Sequence, residues 1–237
     1  MSEPPSGKTS SLYRHSGRVP LASRLSYAVR QQMFARFLEV THPTPTSSVL
    51  DVGVTSDERH QESNFFERLY PYKERIVCVG TEDGAHLEQQ YPGIRFMPVQ
   101  PGQPIPFADQ EFDIVFSNAV IEHVGGPELQ RAFLAELCRV GRHVFVTTPN
   151  RWFPVEHHTG IPLLHFLPRP LFRMILRRTA MSYWSHQQNL HILGRNDLAE
   201  LFPPTAHIRV ERIGIGFGPF KSNLLAYTLT PAMGANG

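Results

Sequence analysis

Val49-Leu50-Asp51-Val52-Gly53-Val54-Thr55-Ser56-Asp57 is an apolar run broken by one carboxylate, turned by one glycine, and followed by no further glycine. Its first half reads as a buried strand, residues 48–52, because short apolar runs bounded by turn residues fit a strand covered on both faces. An acid and a glycine at the carboxyl end of such a strand form the corner at which open α/β sheets hold nucleotide-type ligands.

The same alternation extends in both directions. Upstream, Leu21, Leu25, Val29, Met33 and Phe37 recur every four residues, with Arg24, Arg30 and Arg36 on other faces, which predicts a helix packed on a sheet. Downstream come an expected helix over 64–70, a strand over 75–79, a helix over 82–90 stopped by Pro92-Gly93, and a strand over 94–99. Three prolines make 101–107 a loop. A strand follows over 112–117, then a helix from Pro127 to Val140 with Gly141 just past its end and Leu129, Phe133, Leu137 and Val140 as its buried stripe. A fifth strand spans 143–148. Residues 151–192 interrupt the pattern with prolines, aromatics and histidines, before a helix over 195–201 and strands over 208–213 and 223–228. Gly214, Gly216 and Gly218 join two strands without opening a helix, so they read as a hairpin rather than a phosphate cradle. Strands separated by helices predict an α/β fold: a doubly wound, mostly parallel, seven-stranded sheet. The expected layout is a loose tail over 1–20 and one domain over 21–237, with 151–192 as an inserted helical lid after the fifth strand.

Composition narrows the class. A chain of 237 residues with 41% apolar content can bury a full core. No apolar run approaches the roughly 20 residues that span a bilayer, and the Ser- and Pro-rich start lacks a signal-peptide layout. A cytoplasmic chain is the expectation. The two cysteines, Cys78 and Cys138, lie among apolar neighbours and read as reduced core thiols. A net charge of +2 is too balanced to point to nucleic acid.

Leu50-Asp51-Val52-Gly53, Gly80-Thr81-Glu82, Ile105-Pro106-Phe107 with Glu111-Phe112-Asp113-Ile114-Val115, and Ser117 through Val124 (Ser-Asn-Ala-Val-Ile-Glu-His-Val), in that order, resemble the class I S-adenosylmethionine-dependent methyltransferases. The resemblance covers roughly residues 48 to 150 and is nearest the small-molecule group of type 11. It implies S-adenosyl-L-methionine as cofactor and a Rossmann-like fold. Asp51 can accept charge-assisted bonds from an ammonium group, Gly53 lets backbone approach the ligand, and Glu82 can take two ribose hydroxyls, with Asp83 as the neighbouring contact. By resemblance Asn118 and Ala119 line the methionine and sulfonium end. The alternatives are a turn cap for Asp51 and a helix N-terminal acid for Glu82; Asp113 reads as structural. The family usually has glycines where this chain has Thr55 and Asp57, so the cofactor's carboxylate end meets a modified loop at Thr55. The acid that often meets the adenine amino group is replaced by Gln100 or Gln103.

His123, leaving the fourth strand, has a side chain suited to proton removal near neutral pH. Packing beside the cofactor is the competing role. Asn150, Arg151, Trp152, Glu156, His157 and His158 follow the fifth strand and open on the same rim, which makes Asn150, Arg151, Trp152 and Glu156 acceptor-binding candidates and His157 and His158 catalytic ones. Adjacent histidines diverge and no second acid sits at ligand spacing, so no metal is expected. Residues 163–178 interleave apolar side chains with Arg169, Arg173, Arg177 and Arg178, a composition suited to a lid helix or to weak peripheral contact with an anionic membrane.

Three classes stand. A methyltransferase acting on a small or lipid-linked metabolite at oxygen uses all these features. A nicotinamide oxidoreductase needs pyrophosphate-spaced glycines that Gly53 to Asp57 lack. A non-catalytic descendant of the same fold, acting as a binding protein, would have no call for Asp51, Glu82 and the Asn118 to His123 run together.

Overall fold

The computed structural model describes residues 21–57, 62–186 and 189–229; the tail expected over 1–20 lies outside the described residues. Seven strands form one sheet: β1 (Val49–Val52), β2 (Ile76–Gly80), β3 (Arg95–Pro98), β4 (Phe112–Asn118), β5 (Gly141–Pro149), β6 (Ile208–Ile213) and β7 (Asn223–Thr228). Their order is β3-β2-β1-β4-β5-β7-β6. The first five are parallel, and β7 enters antiparallel between β5 and β6. Helices are α1 (Leu21–Thr41), α2 (Phe65–Leu69), α3 (Leu87–Gln90), α4 (Pro127–Val140), α5 (Arg169–Leu176) and α6 (Arg195–Leu201). No helix among the described residues is long and apolar enough to cross a membrane.

Strand side chains alternate between faces, and this parity builds two cores. Leu50, Val52, Val115, Val144 and Val146 meet Leu134, Leu137 and Val140 of α4 and Leu198 and Leu201 of α6. Val49, Cys78, Ile114, Phe116 and Phe145 meet Phe37 of α1 and Phe65 and Phe66 of α2. Phe37 sits edge-on to Phe66, Phe116 and Phe145; deleting its fully buried ring would cost about 3–5 kcal/mol. Asp113 ties β4 to the start of β1 by accepting from the Ser48 N–H and hydroxyl while pairing with Arg142, the structural role its place in the sequence implied.

Several local expectations are corrected. Leu129 is 54% exposed, and the buried stripe of α4 is Gln130, Leu134, Leu137 and Val140; burying Gln130 is tolerable because its amide donates to the Ile121 and His191 carbonyls. Leu25 of α1 is also exposed. Gly141 caps the end of α4 as expected, but β5 begins there rather than at 143, and a Cβ on it would overlap Val115. Residues 82–86 are not helical, since Asp83 Oδ1 turns back to accept the Ala85 N–H and α3 starts only at Leu87. The glycines after β6 do form a connection between antiparallel strands.

Candidate active site

Strand order reverses between β1 and β4, and a cleft opens at the carboxyl ends of these strands as the rule for open α/β sheets requires. It encloses about 570 Å³ with its mouth included and is lined by Asp51, Gly53 and Thr55, by Asn64, Phe65, Phe66 and Glu67, and by Phe116, Asn118 and Ala119.

Gly53 has φ +101°, and a Cβ there would run into Val120. Its N–H and that of Val54 reach the Val79 carbonyl at 2.8 and 3.4 Å, which bends the chain away from the sheet. Thr55, the first replaced glycine, is pinned by Asn64: the Thr55 N–H donates to Asn64 Oδ1 at 3.1 Å and Asn64 Nδ2 donates to the Thr55 carbonyl at 2.7 Å. Thr55 Oγ1 then accepts the Asp57 N–H. Side-chain bonds thus replace the glycines in shaping the turn, while the backbone still lines the cleft. Asn118 Oδ1 accepts from Thr147 Oγ1 at 2.7 Å. Ala119 holds φ 56°, a left-handed conformation costly for a residue with a side chain, and its N–H is fixed by the Thr147 carbonyl.

Asp51 has the parity of Val49, so it points into the aromatic face toward α2, where Glu67 meets it. Glu67 is fully buried, accepts from the Cys78 thiol at 3.3 Å through Oε1, and has no partner at Oε2. Burial, and then the neighbouring charge of Glu67, raise the Asp51 pKa well above the ordinary carboxylate value. Burial also pushes the Cys78 thiol up, with Glu67 and Asp51 adding to it, so this thiol stays protonated. Two carboxyl groups on one wall of the cleft, with an orphaned oxygen between them, fit the ammonium of a methionine moiety. Nothing in the sequence marked Glu67, because α2 reads as an ordinary amphipathic turn of helix.

Glu82 lies just past the end of β2 but is exposed and engaged with the turn: its Oε2 accepts the Ser56 hydroxyl at 2.6 Å and the Ser56 N–H at 3.2 Å. It and Asp83 stand beside the cleft rather than in its lining.

The loop after β5 builds a second polar cluster. Glu156, 3% exposed, accepts the His158 and Thr159 N–H groups and His158 Nδ1 at 2.7 Å. His158 Nε2 lies 3.1 Å from His123 Nε2, and His123 Nδ1 lies 2.8 Å from the Asn189 carbonyl. Burial would raise Glu156, but the bond and charge of His158 hold it down to about 2. The same pairing, with Glu122 behind it, raises His158 against the opposing effect of burial. Trp184 closes the outer side, with ring centroids 4.9 Å from His158 and 5.8 Å from His123. Glu122, buried and fixed by the Thr148 hydroxyl through Oε2, places Oε1 4.0 Å from His123 Nε2, and one ligand atom from each of Glu122, His123 and His158 lies within 4.8 Å of the others. That spacing suits a metal ion, and the sequence did not foretell it, since the acid arrives from the β4 loop.

His157 turns the other way. Its ring stacks on Phe153 and its Nε2 lies 3.3 Å from the Ser222 carbonyl, and burial, with the charge of His158, lowers its pKa. Asn150 is buried with its amide spent on the Pro219 and Lys221 carbonyls and its Oδ1 on the Trp152 N–H. It knits β5 to the β6–β7 hairpin. Trp152 lies with its ring tilted against Phe166 and is 44% exposed. Arg30, read as an outward residue of α1, instead buries its Nε and lies over the Phe65 ring with its charge felt by Glu122.

A family model described as "Methyltransferase domain" matches residues 64–143. Solved structures with similar folds include an S-adenosylmethionine-dependent methyltransferase from Thermotoga maritima, 15% identical, covering 88% of this chain and 91% of that one with a TM-score of 0.55. An N-methyltransferase from Bradyrhizobium japonicum in complex with S-adenosyl-L-homocysteine is 12% identical over 85% of this chain and 87% of its own, TM-score 0.53. Magnesium protoporphyrin IX methyltransferase from Synechocystis, with bound S-adenosylhomocysteine, is 12% identical over 91% and 90%, TM-score 0.51. At such identities these likenesses speak for the fold. No curated protein matches the sequence. The methyltransferase domain matched over residues 64–143 and the order of the sheet give the chain the Rossmann-like fold of the class I S-adenosylmethionine-dependent methyltransferases.

Proposed function

We propose that this enzyme methylates an oxygen of a small or lipid-linked metabolite, with the acceptor held between the Asn118–Ala119 corner and the His123–His158 wall. The observation that carries the reading is the unbroken chain Glu156–His158–His123 beside the cleft. S-adenosylmethionine, when bound, supplies an electrophilic methyl group. Asp51 and Glu67 would hold its ammonium, the Gly53–Thr55 backbone its carboxylate end, and Glu82 with Asp83 its ribose side.

The remaining steps belong to the chain's own groups. An alcohol oxygen is a poor nucleophile until its proton leaves, and an imidazole within hydrogen-bond reach removes it. Glu156 accepts from His158 Nδ1 and the Asn189 carbonyl from His123 Nδ1, so both Nε2 atoms turn lone pairs toward the gap between the rings; the acceptor's hydroxyl proton passes to one Nε2 and is shared with the other, and the Glu156 carboxylate balances the imidazolium that forms. Trp184 excludes water from the pair. His157 takes no proton in this scheme, and Asn150 acts through loop architecture. Residues 151–192 form a lid over the acceptor.

The test is a screen of hydroxylated metabolites for S-adenosylhomocysteine release, followed by His158→Ala. Turnover should fall by about 10²–10⁴-fold while S-adenosylhomocysteine affinity stays put. Undiminished turnover in this variant would remove the proton role.

A further inference from the structure

On the far side of the acceptor loop lies a second pocket that the methyl-transfer scheme does not use. Arg151, Arg169 and Arg173 line it with His165, His191 and the buried Phe172. Arg151 and Arg169 make no ion pair or side-chain hydrogen bond among the described residues. His191, 3% exposed, presents a buried Nδ1 with no partner. Like charges crowd here: burial, and then Arg169 and Arg173, press the His191 pKa down to about 4, and burial, and then Arg169, lower Arg151 and Arg173. Asp197 and Glu156 act on this cluster from a distance, and each also serves a hydrogen bond of its own. Asp197 accepts the Gly194 N–H at 2.8 Å, and Glu156 serves His158.

Converging guanidinium groups are the arrangement that recognises phosphate oxygens through paired N–H donors. We propose that this pocket binds a phosphate-class anion. With about 20 Å³ of room, it admits a water-sized group, so the tip of a tetrahedral anion enters and its substituent stays outside. Leu163, Leu171 and Met174 are exposed on the same lid segment, so the phosphate could belong to a soluble ester or to a lipid headgroup.

The experiment is calorimetric titration of the whole protein with inorganic phosphate at constant ionic strength set by chloride, repeated for Arg169→Gln and Arg173→Gln. Arg178→Gln, exposed beyond the end of α5, serves as the control. Saturable binding that weakens about tenfold or more in each pocket variant and survives in the control is expected, with His191 titrating at higher pH once phosphate is bound. S-adenosylhomocysteine affinity should be equal in all four proteins, which separates this site from the cofactor cleft and shows the variants to be folded. Phosphatidylcholine vesicles with and without phosphatidylglycerol identify the source: retention on the anionic vesicles that phosphate displaces points to a headgroup, and none to a soluble ester. Absence of saturable phosphate binding, or binding as strong in the two pocket variants as in the native protein, would overturn the proposal.

Discussion

The acid pair in the cleft and the acid beside the histidines carry their charges in opposite ways. In the cleft, Asp51 and Glu67 share a buried wall with no basic side chain between them, and burial and then Glu67 raise the Asp51 pKa. In the loop after β5, Glu156 is matched by His158 and its pKa falls to about 2. A matched pair is complete within the folded chain and serves to move or hold a proton. An unmatched pair lowers the stability of the free protein and gains a partner only with a cationic ligand, as expected where binding outweighs stability.

The largest effect should come from the turn that shapes the cofactor end. Gly53→Ala places a methyl group against Val120 at a left-handed φ, and a loss of about 2–4 kcal/mol is expected in denaturant unfolding, together with loss of S-adenosylhomocysteine binding by calorimetry.

Asp51→Asn breaks the comparison at its unmatched end, with two effects of opposite sign. Affinity for S-adenosylhomocysteine should drop about 10–100-fold, the scale of a charged hydrogen bond. The ligand-free protein should become more stable at neutral pH. A carboxyl whose folded pKa is raised contributes fully below its unfolded value near 3.9, and that contribution is lost as pH rises through the folded value; asparagine has no such loss. Urea midpoints from pH 4 to 8 give the sign.

Glu156→Gln probes the matched end. Because its folded pKa is depressed, Glu156 stabilises the protein above its unfolded value, and that stability disappears as pH falls toward about 2. The variant should lose about 1–2 kcal/mol at neutral pH and unfold with a shallower acid limb. The His158 titration, followed by NMR, should move downward.

The smallest effect is expected from Asn64→Ala, which frees Thr55 from its two bonds. Binding should weaken several-fold, about 1 kcal/mol, with little change in global stability.

Most of the sheet was legible in the sequence because strand parity and helix period are local signals: α4, α6, β6 and β7 begin and end where the pattern placed them. The misses have physical causes. Asp83 capped a turn in place of the first turn of α3, and Leu129 yielded its core position to a hydrogen-bonded Gln130. In the site, Asp51, Gly53, Thr55, Asn118 and Ala119 carry a strand-end signature and line one cleft. Glu67, Asn64 and Arg30 carry none, since each does its work by folding back from a helix onto a neighbouring strand or loop. The pairing of His123 with His158 joins residues 35 apart and depends on how the loop after β5 packs, which no spacing rule encodes.

The account turns on whether the unmatched acids hold an ammonium group. Calorimetric titration of the native protein and of an Asp51→Asn, Glu67→Gln double variant with S-adenosylhomocysteine and with 5′-methylthioadenosine, which lacks the amino-acid end, tests this directly. The native protein should prefer S-adenosylhomocysteine by at least about tenfold, and the double variant should lose that preference while keeping its affinity for methylthioadenosine. Equal preference in both proteins, or no binding of S-adenosylhomocysteine by the native chain, would contradict it.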